Sequence, residues 1–225
     1  MAARHPHDPT AFTEGLVFSA DGRLFESTGG YGTSDVRQID PTNGTVVARQ
    51  PLDATLFGEG LTIAGDELVQ LTWKEGNVLR WDLALRARKG STITGEGWGL
   101  STLADGTLIS SDGSDVLTVR DPATMEPQRS VSVTDAAGAP LQQLNELEVV
   151  GDRVWANVWH SNDIVRIDPA TGRVEASIDL STLVPKGLQD PEAVLNGIAH
   201  RPGDPSDRLW VTGKLWPTLY EIELR

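Results

Sequence analysis

One short pattern returns five times along the chain: a leading residue, then Gly or its stand-in, then Leu or Ile and a strand-like run. It reads TEGLVF (13–18), FGEGLTI (57–63), GWGLST (97–102), LNELEV (144–149) and LNGIAH (195–200). Aligned on the leading position, the copies put Glu14, Glu59, Trp98, Asn145 and Asn196 in one register, with spacings of 45, 39, 47 and 51 residues. A near-constant period of that size marks a repeat architecture, built from units that bury their apolar faces only by stacking on one another.

Every copy continues in the same way. A turn rich in Asp and Gly (ADG, AGDE, ADG, VGDR, PSDR) leads to a second strand: RLFESTG (23–29), ELVQLTW (67–73), TLISSDG (107–113), RVWANVW (153–159) and RLWVTGK (208–214). Such turns close tight antiparallel hairpins. Third strands follow at 35–40, 77–82, 115–121, 163–168 and 218–223, and four copies have room for a fourth, clearest in GTVVARQ (44–50) and GRVEASIDL (172–180). Apolar residues alternate with period two, and helical spacing is scarce.

Five units of four antiparallel strands predict an all-β, five-bladed β-propeller, one domain over 1–225 with blades beginning near 14, 59, 98, 145 and 196. A β-sandwich would not repeat its motif in register. The fifth copy stops after its third strand, so ring closure needs a strand from elsewhere. Segment 1–12 is the candidate, held to edge-type pairing by Pro6 and Pro9.

Charge and composition exclude several partners. A net charge of −13 argues against nucleic acid, whose phosphates need clustered Lys and Arg, and against a polybasic membrane contact. It favours amine-bearing partners instead. No apolar run approaches a membrane span. With no cysteine, thiol nucleophiles, disulfides and cysteine metal sites are out. MAARHPHDPTAF holds no apolar core of signal-peptide length, which leaves exported and cytoplasmic settings both open.

In a propeller the first strand of each blade lies nearest the axis, so its start and the end of the second strand share one rim. The five leading residues then ring one mouth, joined by Gly29, Trp73, Gly113, Trp159 and Lys214. Trp73, Trp98 and Trp159 at a mouth read as binding walls, whereas Trp81, Trp155 and Trp210 read as packing between blades. Glu59 would be desolvated there and tuned toward proton transfer; Glu14 has the same claim by position. Asn145 offers an amide donor for an oxyanion, and Lys214 offers another or a partner for a carboxylate. The four His show no metal spacing, and His5 and His7 read as part of a mobile tail. SSDGSD (110–115) reads as a turn rather than a calcium loop. Nucleophile-elbow, P-loop and dinucleotide signatures are missing.

The ordered series HDPTAFTEGL, LFESTGGYG, FGEGLT, QLTWK, GEGWGLS, SSDGS, NELE, WANVW, PATG, VLNGIA and VTGKLWP resembles the glutamine cyclotransferase family, from His7 to Pro217. The resemblance implies a metal-independent propeller that needs no cofactor. It would act as a monomer on peptides or proteins with N-terminal Gln, cyclising the glutaminyl residue to pyroglutamate with loss of ammonia. It places the proton shuttle on Glu59 and further catalytic roles on Asn145 and Lys214. The substrate pocket falls to Phe12, Glu14, Phe57, Trp73, Trp98 and Trp159. The family's first motif usually reads FTQGL, so Glu14 is a departure: it would either hold the substrate ammonium or raise the pKa of Glu59 by like-charge repulsion. A non-catalytic peptide-binding propeller and a metal-dependent hydrolase or lyase are the rival readings.

Overall fold

The computed structural model describes residues 1–224. A short N-terminal strand β1 (Ala3–Pro6) precedes the blades. Blade one comprises β2 (Thr13–Phe18), β3 (Leu24–Thr28), β4 (Asp35–Ile39) and β5 (Val46–Pro51), and blade two β6 (Gly58–Ala64), β7 (Glu67–Thr72), β8 (Asn77–Asp82) and β9 (Ser91–Thr92). Blade three holds β10 (Leu100–Thr102), β11 (Leu108–Ser110), β12 (Val116–Arg120) and β13 (Pro127–Ser132). Blade four holds β14 (Leu144–Val150), β15 (Arg153–Val158), β16 (Asp163–Ile167) and β17 (Val174–Asp179). β18 (Leu195–Ala199), β19 (Arg208–Gly213) and β20 (Thr218–Glu223) belong to blade five, whose sheet order β1-β20-β19-β18 takes its outer strand from the N-terminus. These are five four-stranded antiparallel sheets, a five-bladed β-propeller, and the one helical turn among the described residues is 3-10, at Ser181–Leu183.

Burial follows position in the blade. The innermost β2 is buried at every residue, while the outer β5 and β17 alternate half-buried with exposed, as strands with one wet face do. Inner strands touch in a closed cycle, β2 to β6, β10, β14, β18 and back to β2. The apolar core lies in the layers between neighbouring sheets. Val17, Phe25 and Val36 of blade one meet Leu61, Leu68 and Trp81 of blade two, and Leu16, Phe18 and Leu24 meet Ala199, Trp210 and Leu219 of blade five. Trp155 packs with Ile198 and Leu209 in the next layer, so all three of these indoles fill spaces between blades.

The N-terminal segment is a built part of the ring, which corrects the reading of His5 and His7 as a mobile tail. β1 pairs with β20 from Ala3↔Glu221 to Pro6↔Thr218, and Pro6 sits at the end of this edge strand. The His5 ring stacks on Trp210 at 4.7 Å. His7 is buried, with Nδ1 2.7 Å from Trp216 O and Nε2 2.9 Å from Glu26 Oε1. Both partners are acceptors, so both ring nitrogens donate and the ring is an imidazolium. Burial opposes that charge, yet the facing Glu26 carboxylate holds the His7 pKa above the ordinary value. Asp8 then accepts from Arg37 Nη1 at 2.9 Å. Two consecutive residues thus fasten the chain leaving blade five to blade one. The tail reading rested on nearness to the terminus; a buried ion pair is invisible until its partner is known.

Candidate active site

The recurring motif proves to be a β-bulge. Pairing of first and second strands shifts by one residue between Thr13 and Gly15, Gly58 and Leu61, Leu144 and Leu147, and Leu195 and Ile198. In blade three Trp98 and Gly99 precede β10, and both bond Ser111: Trp98 N donates to its carbonyl, and its amide donates to Gly99 O, each at 3.1 Å. A bulge breaks strict alternation and re-aims a side chain. The Gly that follows is a close-approach position: a Cβ on Gly15 would overlap Leu61 N, one on Gly60 Trp98 O, and one on Gly99 Asn145 O. The fourth copy carries Glu146 there instead. Its buried carboxylate accepts Ile198 N at 2.8 Å and Leu16 N at 3.3 Å, satisfying inner-strand amides in two other blades.

In four blades the rim residue on the second strand is tied to the residue two before the leading position. Gly29 N donates to Phe12 O (2.8 Å), Trp73 N to Phe57 O (3.0 Å), Trp159 N to Gln143 O (2.8 Å) and Lys214 N to Val194 O (2.9 Å). That ladder carries Phe12 and Phe57 to the mouth beside the bulge residues. A cavity of about 340 Å³ opens there, lined by Phe12, Glu14, Phe57, Glu59, Trp73, Trp98, Asn145, Trp159, Glu192 and Lys214. This is the size of a small-molecule site. Phe57 contacts Trp73 at 5.5 Å and Phe12 edge-on at 6.0 Å, while Trp98 and Trp159 meet edge to face at 5.6 Å. The Trp98 ring rests on Gly113, which has φ +81° and where a Cβ would come within 2.7 Å of the indole.

Charge is concentrated among aromatic walls. Glu14 and Glu59 are both buried, and so is Lys214, whose Nζ donates to Glu14 Oε1 at 2.7 Å and lies 4.7 Å from the Phe12 ring centroid. Asn196 donates through Nδ2 to Glu14 Oε2 at 3.0 Å and to Thr13 O at 2.9 Å. Burial pushes the Glu59 carboxyl well above the usual range, and the neighbouring Glu14 carboxylate adds to it, against the Lys214 ammonium. Burial raises Glu14 as well, but Lys214 and a hydrogen bond from Glu59 oppose it more directly. With one ammonium for two buried carboxyls, and that ammonium bound to Glu14, Glu59 is the carboxyl raised further.

This geometry gathers Glu59, Asn145, Lys214, Phe12, Glu14, Phe57, Trp73, Trp98 and Trp159 at one cavity. Asn196, expected in the same ring, lies behind Glu14 and does not line it. Two carboxylates escaped the sequence reading. Glu96 Oε2 accepts both Trp73 Nε1 at 2.8 Å and Trp98 Nε1 at 3.0 Å, pinning two indoles. It stands two before Trp98, the position that Phe12 and Phe57 hold in their copies, so the register carried a signal for it. Glu192 accepts Trp159 Nε1 at 3.3 Å and lies in the irregular link between blades four and five, where no register applies.

The glutamine cyclotransferase family model matches residues 1–224. The chain belongs to this family. It is 42% identical to an Arabidopsis thaliana glutaminyl-peptide cyclotransferase over 236 residues, covering all of this chain and 71% of that protein. It is 41% identical to the Myxococcus xanthus glutaminyl cyclase, whose crystal structure matches with a TM-score of 0.91 over 98% of this chain and 94% of the other. A Staphylococcus aureus virginiamycin B lyase matches at a TM-score of 0.55 and 13% identity, over 95% of this chain and 66% of that one, a likeness of fold alone.

Proposed function

We propose that this chain is a glutaminyl-peptide cyclotransferase whose Glu59 moves the protons. The activity rests on the family match, and the role of Glu59 on one observation: its carboxyl is buried beside the Glu14–Lys214 ion pair in a cavity walled by Trp73, Trp98 and Trp159. An N-terminal α-ammonium has a pKa near ~8, and an ordinary carboxylate is a base too weak by about 3–4 units to deprotonate it efficiently. A carboxyl raised well above its usual value narrows that gap.

The substrate's α-ammonium enters a site whose acidic groups favour it, and its positive charge draws Glu59 into the ionised form, with the Glu59 proton released to solvent. Glu59 takes one proton, and the freed amine adds to the side-chain amide carbon to form a five-membered ring. Asn145 and Lys214 serve as donors to the oxygen of the tetrahedral intermediate. Glu59 returns its proton to the leaving nitrogen, and the C–N bond breaks. The second proton of the ring nitrogen passes through the same carboxylate to the departing ammonia, so pyroglutamate and ammonium leave and Glu59 is regenerated. The indoles, two held by Glu96 and one by Glu192, fix the flat amide in its reactive rotamer.

Ammonia release from the peptide Gln-Ala, with and without chelator, tests the activity. Glu59→Gln is expected to lower kcat by ~10²–10⁴-fold, while peptide binding, read by quenching of the pocket indoles, persists. Near-wild-type turnover in that variant would remove the shuttle from Glu59; loss of turnover in chelator would favour a metal enzyme.

A further inference from the structure

Glu192 differs from the other acids of the cavity. Glu14 and Glu59 are almost fully buried, whereas the Glu192 side chain is 40% exposed while lining the same cavity. Its hydrogen-bonding is far from saturated. A carboxylate offers about four acceptor positions, and Glu192 uses one for Trp159 Nε1 at 3.3 Å, with His160 Nε2 3.5 Å from its other oxygen. Glu96 is the contrast, with one oxygen taken by two indoles at 2.8 and 3.0 Å.

The backbone that carries Glu192 is fixed. Its amide donates to Asp190 Oδ1 at 2.8 Å, Trp216 Nε1 donates to Ala193 O at 3.0 Å, and Lys214 N donates to Val194 O at 2.9 Å. His160, at φ 59°, lays its ring against Trp159 at 4.3 Å. A part-exposed carboxylate is therefore held beside a pocket wall, with acceptor capacity to spare.

On the reaction proposed above, the glutaminyl residue fills the buried end with its amine at Glu59. The chain leading away from it must then leave through the mouth. We infer that Glu192 is a specificity-determining residue that accepts a cationic side chain on the residue following the N-terminal glutamine, so the protein prefers Gln-Lys and Gln-Arg over Gln-Glu termini. The contact forms outside the reacting atoms and is equal in ground and transition states. It is expressed in KM rather than kcat, and as a part-exposed ion pair it weakens with salt.

The test uses the intact protein and the peptides Gln-Lys-Ala, Gln-Ala-Ala and Gln-Glu-Ala at low and high salt. Wild type is expected to favour the lysyl over the glutamyl peptide by about five- to tenfold in kcat/KM at low salt, through KM. Glu192→Gln, which keeps an acceptor for Trp159, is expected to bring that ratio close to one, and Glu192→Lys to invert it. An unchanged ratio in both variants overturns the inference. Dissociation constants for the same peptides, read by indole quenching, report the charge preference independently of turnover. Absence of ammonia from every peptide thus sinks the proposed reaction, while equal affinities sink the role of Glu192.

Discussion

Two carboxyl groups and one ammonium crowded into an aromatic cavity make protonation, more than shape, the sensitive property of the site. Glu14 is held by Lys214 and Asn196, and after burial it is the largest influence raising Glu59. The geometry therefore favours the second of the two roles open to it, tuning Glu59 rather than gripping the substrate. Glu14→Gln would remove a like charge and free the ammonium of Lys214, and both changes lower the Glu59 pKa. The expected outcome is an acid limb of the kcat/KM–pH profile displaced to lower pH, with a modest change in the plateau; an unmoved limb would show that the two carboxyls titrate independently. Glu59 was legible as a candidate because the repeat places it in register with Glu14. The repeat register could not choose between them, and only the family resemblance did, since a pKa depends on distances between residues 45 apart in the chain.

At the scale of elements, the hairpins were readable from local chemistry. Asp side chains build the turns as Asx motifs: Thr107 N donates to Asp105 Oδ1, Ser114 N to Asp112 Oδ1 and Ala170 N to Asp168 Oδ1, each at 3.0 Å. SSDGSD is such a turn. The bulges and the N-terminal fastening were not readable, because a bulge is defined by its partner strand and the fastening by His7 meeting Glu26 across blades. His7→Ala would leave the buried Glu26 with only the Arg37 guanidinium, 4.0 Å away, as a cation, at a cost of up to ~3–5 kcal/mol. The measured quantity is the urea midpoint near pH 6, and a midpoint like wild type would mean that β1 alone closes the ring. Because the folded His7 pKa is raised, its contribution is whole below the ordinary histidine pKa and is lost as pH rises through the folded value.

For the whole molecule, the inner ring is held partly by acids serving as acceptors. Glu148, on β14, accepts His200 N of blade five at 2.7 Å and Ser101 Oγ of blade three at 3.4 Å. Burial lifts its carboxyl to about 8 from an ordinary 4.5, outweighing those donors. The folded protein then binds a proton that the unfolded chain has already released. Stability from this group is complete below about 4.5 and is lost as pH rises through about 8, a swing of up to about 4–5 kcal/mol. Urea titrations between pH 5 and 9 should show wild type losing stability that Glu148→Gln retains, and parallel curves would place that proton elsewhere. The sequence by itself determined the number of blades, the strands within them, the turns and the side on which the leading residues gather, because repeat period and alternation are properties of neighbours along the chain. Tertiary structure alone decided which carboxyl the ammonium of Lys214 binds, which acids pin the indoles, and how the first strand fastens the last blade. Desolvation and ion pairing depend on what folding brings together through space, and the order of residues does not record it.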